Sequence, residues 1–208
     1  MRIALFGGTF DPIHRAHLRL AEAASARFGL DRVLFVPTGR QPLKNQVAVA
    51  SYLDRVKMVR LALSAQDPRF SVSLEDAPRS DGRPNYTVDT LELLAREHPG
   101  AELFAIAGAD SFLTLPGWRS PARLLELAQW IVVSRPGFPL GTDFLDRPEF
   151  AATGDPAVLR SRVHVLEGIA EDISATELRR RLKERPKECP PSLPLPVFQY
   201  IQEHGLYQ

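Results

Sequence analysis

The sequence predicts a doubly wound α/β fold, in which helices cover both faces of a parallel sheet, with a small helical part at the C-terminal end. Short apolar runs alternate with longer segments whose apolar residues recur at three-and-four spacing, and this alternation is typical of such sheets. The sequence has no internal repeat. We therefore expect one domain over residues 1–208, with its helical C-terminal portion at about residues 172–208.

Most of the predicted strands are short apolar runs that end at turn residues, whereas residues 70–74 alternate like a half-exposed strand. The predicted strands cover residues 3–6, 33–36, 70–74, 103–107, 130–133 and 163–166. Because ligands bind beyond the carboxyl ends of parallel strands, the loops at those ends are the first place to look for function. Those loops include residues 7–12, 37–46, 108–119 and 171–176.

The predicted helices are recognised by their apolar stripes and by their ends. The first follows Pro12 and closes at Gly29, since glycine accepts the left-handed conformation that ends a helix. Ser51 and Asp54 resemble a capping box before the second helix. Thr87, Ser120 and Ser174 are each expected to cap a further helix, and the last helix covers residues 197–205. Between residues 138 and 162 the periodic signal is weak.

The composition excludes several classes of function. Lys and Arg number 26 and Asp and Glu 25, so bulk charge gives no case for binding nucleic acid or an anionic membrane. Cys189 is the single cysteine, which excludes an intrachain disulfide and a cysteine-based zinc cluster. The segment MRIALFGG is too short and too soon interrupted for a signal peptide or a membrane span. We expect a soluble, cytoplasmic protein that binds small molecules, and a homo-oligomer is compatible with the sequence.

The segment GGTFDPIH, residues 7–14, has the physical parts of a phosphate-binding loop. Gly7 and Gly8 would let backbone N–H groups approach an anion, and a helix N-terminus with its partial positive charge follows. The segment matches neither Walker A nor G-x-G-x-x-G. The alternative is a tight turn in which Asp11-Pro12 opens a helix, and for the glycines alone the two explanations carry about equal weight.

Two histidines shift this balance towards phosphate chemistry. His14 and His17 are three residues apart, so they share one helical face near the helix N-terminus. Imidazole N–H groups placed there can donate to oxygens that gain charge in phosphoryl or nucleotidyl transfer. The alternatives are a core histidine at position 17, which falls in the apolar stripe, and a metal site, for which the sequence offers no third ligand nearby.

A second candidate phosphate site lies in the segment ISATELRR, residues 173–180. Ser174 and Glu177 form a capping box, which explains both residues without any function. Capping does not explain Thr176 and Arg179, a hydroxyl in the first turn and a cation one turn later. These groups would hold a triphosphate tail at the ligand edge of the sheet.

Three single residues have a functional and a structural interpretation. Lys44 could reach a phosphate from the loop after the second strand, or be an ordinary solvated lysine. Asp110 could orient a substrate or a metal-bound water, or cap a helix that starts near Ser111. Trp118 could stack on a planar ring or fill the core.

Taken together, these motifs resemble a known family. GGTFDPIH with His17, then YTVDTL, GAD, Trp118, SRPG, ISATELR and FQYIQEHGLY follow the order of the bacterial nicotinate-nucleotide adenylyltransferases, members of the HxGH nucleotidyltransferase superfamily. The resemblance spans nearly the whole chain. It implies a Rossmann-like nucleotidyltransferase fold and transfer of an adenylyl group from ATP, with Mg²⁺, to nicotinate mononucleotide. The products would be deamido-NAD and pyrophosphate, in NAD biosynthesis.

The resemblance also implies roles for individual residues, with no metal site built from the protein alone. His14 and His17 would stabilise the transferring phosphoryl group as catalytic residues, with Lys44 near the phosphates. The implied ATP-binding residues are Gly7, Gly8, Thr9, Phe10, Ser174, Thr176 and Arg179. The implied residues for the nicotinate nucleotide are Tyr86, Thr87, Asp110, Trp118 and Arg135, with the indole stacking on the ring.

Three positions depart from the usual pattern of the family. Ala16 replaces the glycine of HxGH, Leu43 stands where a histidine often precedes the loop lysine, and Ala175 replaces a commoner serine. Two alternatives stay open. One is an enzyme for nicotinamide mononucleotide or another phosphorylated acceptor. The other is a nucleotide-binding module without catalysis, which gains some weight from Ala16 and Leu43.

Overall fold

A parallel sheet of six strands lies at the centre of the computed structural model, which describes residues 1–40, 48–134, 142–151, 153–167 and 173–208. The strands are β1 (Arg2–Gly8), β2 (Arg32–Pro37), β3 (Phe70–Val72), β4 (Glu102–Gly108), β5 (Gln129–Val133) and β6 (Val163–Leu166). Their order is β3-β2-β1-β4-β5-β6, and every neighbouring pair is parallel. The predicted fold class and strands are confirmed, although β3 is shorter than expected because its pairing with β2 stops at Val72.

Helices connect the strands and follow the last of them. They are α1 (Arg15–Phe28), α2 (Tyr52–Leu63), α3 (Thr87–Glu97), α4 (Ala109–Phe112), α5 (Pro121–Leu127), α6 (Pro148–Ala151), α7 (Pro156–Arg162), α8 (Ala175–Glu184) and α9 (Leu195–Glu203). Short 3-10 turns cover Leu115–Gly117 and Thr142–Asp146. Both α6 and α7 fall where the sequence pattern was weak, since helices of four and seven residues are too short to show a periodic stripe.

Several helix ends agree with the sequence. Gly29 closes α1 in the left-handed conformation, with φ at 59°. The side chain of Ser51 accepts the backbone N–H of Asp54 at the start of α2, and Ser174 accepts that of Glu177 at the start of α8. These side chains satisfy N–H groups that a helix cannot pair internally.

Three expectations about helix ends were wrong. Thr87 is the first residue of α3 rather than its cap, because Tyr86 already takes the extended cap conformation. Asp110 lies inside the first turn of α4, where Gly108 is the cap residue, so its capping alternative fails. The last helix ends before Gly205, which has a φ of 59° and turns the chain back beyond α9.

The helices divide between the two faces of the sheet. α1, α2, α8 and α9 pack on the face that includes Ala4 and Phe6, whereas α3, α5 and α7 pack on the face that includes Ile3 and Leu5. Burial on both faces explains why the strands read as continuous apolar runs rather than alternating ones. The C-terminal helices therefore lie on the same side of the sheet as the helix that carries the two histidines.

The sheet opens between its two central strands. Phe6 and Ile106 are the last pair in the register of β1 with β4. Beyond them, residues 7–8 pair with β2 and residues 107–108 pair with β5. The order of the strands also reverses here, because β1 connects to one side of the sheet and β4 to the other. Such a switch point leaves a crevice at the carboxyl edge, where ligands bind in open α/β sheets.

Gly39 allows the loops after β2 and β3 to pass close to each other. A Cβ atom at position 39 would lie 2.5 Å from the carbonyl oxygen of Asp76 and 2.8 Å from the backbone nitrogen of Pro78. Both distances are too short for any real side chain, and both obstacles are backbone. Position 39 therefore requires glycine for a steric reason.

Replacing Gly39→Ala should lower the free energy of unfolding by roughly 1–3 kcal/mol, because the added methyl group forces the two loops apart. Urea denaturation measures this directly. Gly117→Ala is the matched control, since a Cβ there meets nothing within 4 Å. Equal urea midpoints for the two variants would show that the loops separate without cost.

Candidate active site

The chain makes a tight corner where β1 ends. Phe10 has a φ of 49°, the left-handed region that side chains rarely adopt, and its ring is buried in the core against Phe6 and Phe35. A Cβ at Gly8 would lie 2.9 Å from the Phe10 ring, whereas one at Gly7 would make only an ordinary contact at 3.6 Å. Packing against the Phe10 ring therefore requires glycine at position 8, whether or not a ligand approaches it. The Phe10 side chain is packed as a core group, and its assignment to the ATP site stays a prediction.

The two histidines lie together at the start of α1. His14 is the N-cap residue, with extended backbone angles, so the helix starts at Arg15 and not directly after Pro12. The His14 backbone N–H donates to Nδ1 of His17 at 3.2 Å, and the His17 N–H donates to the His14 carbonyl at 3.0 Å. The ring centroids are 3.8 Å apart. The spacing prediction that both imidazoles share one face is therefore correct.

The surroundings of His17 determine which nitrogen carries its proton. The ring is half-buried and contacts the Phe10 ring at 5.1 Å between centroids. Since Nδ1 accepts a hydrogen bond, the proton of the neutral ring is on Nε2. His17 is therefore neither a fully buried core residue nor a solvated one, and its Nε2–H is a donor.

The N-terminal turn of α8 lies against the same corner. Arg179 donates from Nη1 to the backbone carbonyl of Asp11 at 2.7 Å and from Nη2 to the hydroxyl of Thr176 at 3.2 Å. The hydroxyl of Ser174 is occupied by its cap hydrogen bond. Arg179 and Thr176, the two residues that capping did not explain, are thus brought next to the segment GGTFDPIH from the far end of the chain.

Asp11 is a buried carboxylate that the sequence analysis did not assign to the site. It is 4% exposed, and its oxygens accept from the backbone N–H groups of Val49 and Ala50, at 2.7 and 3.1 Å, and from the hydroxyl of Tyr207 at 2.6 Å. Its only signal in the sequence is an acid before a proline, which equally marks a turn.

Arg55 is a second buried charged residue that the sequence analysis did not assign to the site. It lies in α2, is 2% exposed, and donates from Nη1 to the carbonyl of Thr9 at 2.7 Å. Burial lowers the pKa of the guanidinium from its ordinary value, while the charge of Asp11 acts in the opposite direction. A positive charge is therefore held directly beneath the segment predicted to bind phosphate.

Four of the residues predicted to hold the acceptor, namely Tyr86, Thr87, Asp110 and Trp118, lie beyond β3 and β4. The indole N–H of Trp118 donates to the Thr114 hydroxyl at 2.9 Å, and its ring meets Trp130 edge-on at 5.8 Å. Trp118 is half-buried, so it contributes to packing and still presents part of its surface. Tyr86 and Thr87 are likewise half-buried at the start of α3.

An open, arginine-rich cavity of about 400 Å³ adjoins Tyr86. The guanidinium of Arg119 lies 4.6 Å from the centre of the Tyr86 ring and 3.6 Å from the carboxylate of Asp89. The cavity is lined by Arg79, Arg83, Pro84, Tyr86, Asp89 and Arg119. Asp89 pairs with Arg119, and Asp81, which is not part of the lining, pairs with Arg79 and Arg83, so three arginines against two aspartates leave a positive balance of one charge, which favours an anionic ligand.

The remaining residues predicted for the site are Lys44, Arg135 and Asp110. Lys44 and Arg135 lie outside the described residues. Asp110 is exposed at the start of α4, directly after β4. Its position at the carboxyl edge agrees with the sequence, and its role stays a prediction.

Asp76 is a buried carboxyl group beneath the loop that follows β2. Burial raises its pKa to about 7, although the backbone N–H of Gly39 and the side chain of Asn85 donate to it and act against the rise. Asp76 therefore carries its proton in the folded protein over much of the acidic range.

Comparison with protein families defines the class. The family model described as cytidylyltransferase-like matches residues 5–181, which contain the corner after β1, the paired histidines and the first turns of α8. The fold and the site together define a nucleotidyltransferase.

Curated relatives narrow this class. A protein of Thermus thermophilus is 43% identical over 208 residues, covering 100% of both chains, and one of Gloeobacter violaceus is 41% identical, covering 99% of this chain and 96% of its own. A third, from Moorella thermoacetica, is 39% identical, covering 100% of this chain and 92% of its own. All three bear the name probable nicotinate-nucleotide adenylyltransferase. The chain belongs to the nicotinate-nucleotide adenylyltransferase family.

Solved structures share the fold. The nicotinic acid mononucleotide adenylyltransferase of Plasmodium falciparum, complexed with NaAD, has a TM-score of 0.75 at 19% identity, covering 99% of this chain and 97% of its own. The same protein complexed with APC has a TM-score of 0.73 at 18% identity, covering 99% of this chain and 96% of its own.

Among the described residues of this chain, none of the helices has the length and apolar character needed to cross a bilayer.

The raised pKa of Asp76 predicts a pH dependence of stability. The folded pKa of about 7 lies above the ordinary value of 3.8. Between these values the unfolded chain releases the proton and the folded chain keeps it, so the free energy of unfolding should fall by up to about 1.4 kcal/mol per pH unit from this group. Asp76→Asn should therefore gain stability relative to the parent as pH rises from 5 to about 7, with no further change above that range.

Urea denaturation at a series of pH values tests this expectation. Asp81→Asn is the control, because Asp81 is exposed and the hydrogen bond from Arg79 lowers its pKa below the ordinary 3.8, so it is ionised in both states and its difference from the parent should stay constant from pH 5 to 7. A constant difference between Asp76→Asn and the parent across this range would show that Asp76 is ionised in the folded protein.

Proposed function

We propose that the chain transfers the adenylyl group of ATP to the phosphate of nicotinate mononucleotide, releasing pyrophosphate and giving deamido-NAD. The observation that carries the proposal is the pair His14 and His17, with ring centroids 3.8 Å apart, at the N-terminus of α1 beside the opening between β1 and β4. Membership of the adenylyltransferase family supports the choice of donor and acceptor.

Adenylyl transfer requires hydrogen-bond donors and cations rather than a general base. The attacking phosphate of the mononucleotide is already ionised at neutral pH. Its oxygen bonds to the α-phosphorus of ATP, and the bond to the bridging oxygen breaks so that pyrophosphate leaves with the electron pair. Such a reaction depends on alignment and on stabilising the charge of the phosphoryl oxygens.

The residues around the corner fit these needs. The Nε2–H of His17 would donate to an α-phosphate oxygen, with His14 beside it as the second donor. Arg179 and Thr176, which contact each other at 3.2 Å, would meet the outer phosphates. The buried charge of Arg55 lies below Thr9 and adds positive potential to the same cradle. Lys44 is proposed for this group from the family resemblance.

Mg²⁺ fits this site as a companion of the triphosphate. Among the described residues no group of three or more His, Cys, Asp or Glu side chains could hold a metal ion. Mg²⁺ usually keeps several waters and binds nucleotide phosphates with one or two carboxylates. When bound, it would neutralise phosphate charge, and Asp110 is the carboxylate proposed to orient a water of its shell.

The acceptor would lie beyond β3 and β4. Trp118 would stack on the pyridine ring, with Tyr86, Thr87 and Arg135 around the rest of the nucleotide. The arginine-rich cavity beside Tyr86 favours a carboxylate over a neutral amide, because Arg119 adds a positive charge 4.6 Å from that ring. This observation supports nicotinate rather than nicotinamide mononucleotide as the acceptor.

The deciding experiment measures pyrophosphate release from ATP and Mg²⁺ with nicotinate and nicotinamide mononucleotides in parallel. We expect rapid release with the acid and slow release with the amide. A preference for the amide would overturn the acceptor. If folded protein binds ATP but is silent with both acceptors, the enzymatic proposal fails.

His17→Ala should lower kcat by about 100-fold or more, because the transition state loses a donor to its developing charge. Steady-state kinetics measures the loss, and urea denaturation checks the fold. His98→Ala is the control, since His98 follows α3 at the opposite edge of the sheet. Full activity combined with a lower urea midpoint would make His17 a packing residue.

Arg119→Gln should raise KM for nicotinate mononucleotide about fivefold, which is the effect of losing roughly 1 kcal/mol of charge attraction. KM for the amide should not change, and the difference should shrink in high salt. Arg123→Gln is the matched control, because Arg123 lies in α5 and is not part of the cavity lining. Equal changes for both acceptors would show that Arg119 does not recognise the carboxylate.

A further inference from the structure

The penultimate residue of the chain contacts the corner that begins the site. Tyr207 is 8% exposed, and its hydroxyl donates to Oδ1 of Asp11 at 2.6 Å across 196 positions of sequence. Burial and this hydrogen bond both raise the pKa of the phenol well above its ordinary value. The tyrosine is therefore the donor and the carboxylate the acceptor.

The approach to Asp11 requires an unusual backbone. After α9 the chain turns at Gly205, with φ at 59°, and the Leu206 N–H donates to the Ile201 carbonyl at 3.0 Å. Tyr207 then adopts a φ of 63°, in the left-handed region that costs a side-chain-bearing residue of this size. The C-terminal turn holds Tyr207 in this conformation, and the hydroxyl meets Asp11.

Asp11 in turn connects three parts of the site. Its carboxylate accepts from Val49 and Ala50, the residues that precede α2. Its backbone carbonyl accepts from Arg179 of α8 at 2.7 Å. Asp11 lies three residues before His14, the cap of the histidine-bearing helix. A shift of the Asp11 carboxylate would therefore move the corner after β1, the entry to α2 and the Arg179 contact together.

We propose that Tyr207 is a positioning residue for the nucleotide site. Its hydroxyl fixes the Asp11 carboxylate through a hydrogen bond that we call the latch, and through Asp11 it keeps His14, His17 and Arg179 in their relative positions. The proposal rests on the proposed function for its kinetic consequence. Its structural consequence, a rigid corner after β1, is independent of the reaction. Among the described residues, the hydrogen bond that ties Tyr207 to this corner is the one to Asp11.

The same part of the chain provides a matched control. Tyr200 of α9 is a second tyrosine whose hydroxyl donates to an aspartate, Asp54 of α2, at 2.8 Å. That bond joins α9 to α2 without contacting the corner after β1. Tyr207→Phe and Tyr200→Phe each remove one hydroxyl and keep the ring, so they separate a positioning role from general stabilisation.

We expect Tyr207→Phe to lower kcat about tenfold with less than a twofold change in KM for ATP, because misplacing reacting groups by a fraction of an ångström affects turnover more than binding. Tyr200→Phe should leave kcat within twofold of the parent. Replacing Tyr207 by p-aminophenylalanine, which retains a donor at the same place, should restore much of the lost turnover. A kcat for Tyr207→Phe within twofold of the parent would overturn the kinetic role.

Hydrogen exchange tests the latch without any substrate. Peptides covering residues 7–17 and 48–51 should exchange faster in Tyr207→Phe than in the parent. In Tyr200→Phe the exchange of residues 7–17 should stay as in the parent; residues 48–51 are not compared there, because Asp54, the partner of Tyr200, also bonds Ser51. Equal exchange in both variants would overturn the latch even in an active enzyme. Conversely, faster exchange in a chain that shows no adenylyl transfer would sustain the latch and refute the proposed function.

If Tyr207→Phe fails to fold, the latch can be tested on the parent protein alone. Native-state exchange in low denaturant resolves which amides open together. The latch predicts that the Leu206 N–H exchanges through the same opening as those of Val49 and Ala50. Exchange of Leu206 while Val49 and Ala50 stay protected would show that the C-terminal turn opens independently, and would overturn the proposal.

Discussion

The arrangement of this site depends on burying one carboxylate. An ionised carboxylate removed from water costs several kcal/mol unless hydrogen bonds compensate it. Asp11 gains that compensation from the N–H groups of Val49 and Ala50 and from the hydroxyl of Tyr207, with Arg179 on its carbonyl. The corner after β1, the entry to α2, the first turns of α8 and the end of the chain must meet for these bonds to form.

The sheet topology gives this meeting point its function. β1 and β4 part after Phe6 and Ile106, so the corner stands at an opening rather than in a continuous sheet. α1 begins there with two imidazoles, and Arg55 places a buried positive charge below. These groups are N–H donors and cations held in fixed positions, which suits stabilisation of phosphate charge and does not require a nucleophile from the protein.

Much of the fold could be predicted because it depends on local patterns. Most of the six strands are apolar runs bounded by turn residues, and the ends of α1, α2 and α8 follow from Gly29, Ser51 and Ser174. Errors arose where the pattern is short. The helices between residues 142 and 162 have too few turns for a periodic stripe, and Thr87 was assigned as a cap because its hydroxyl suits that position, whereas the extended conformation falls on Tyr86.

By itself, the sequence determined the fold class and the parts of the site that are close in the chain. The spacing of His14 and His17 places them on one helical face, and that of Thr176 and Arg179 places a hydroxyl beside a cation, as both contacts show. Only the tertiary structure decided the partners of Asp11, the charge of Arg55 under Thr9 and the return of Tyr207, because these contacts join segments 38 to 196 residues apart. Periodicity records which face of an element is buried, and it carries no information about which distant polar group will satisfy a buried charge.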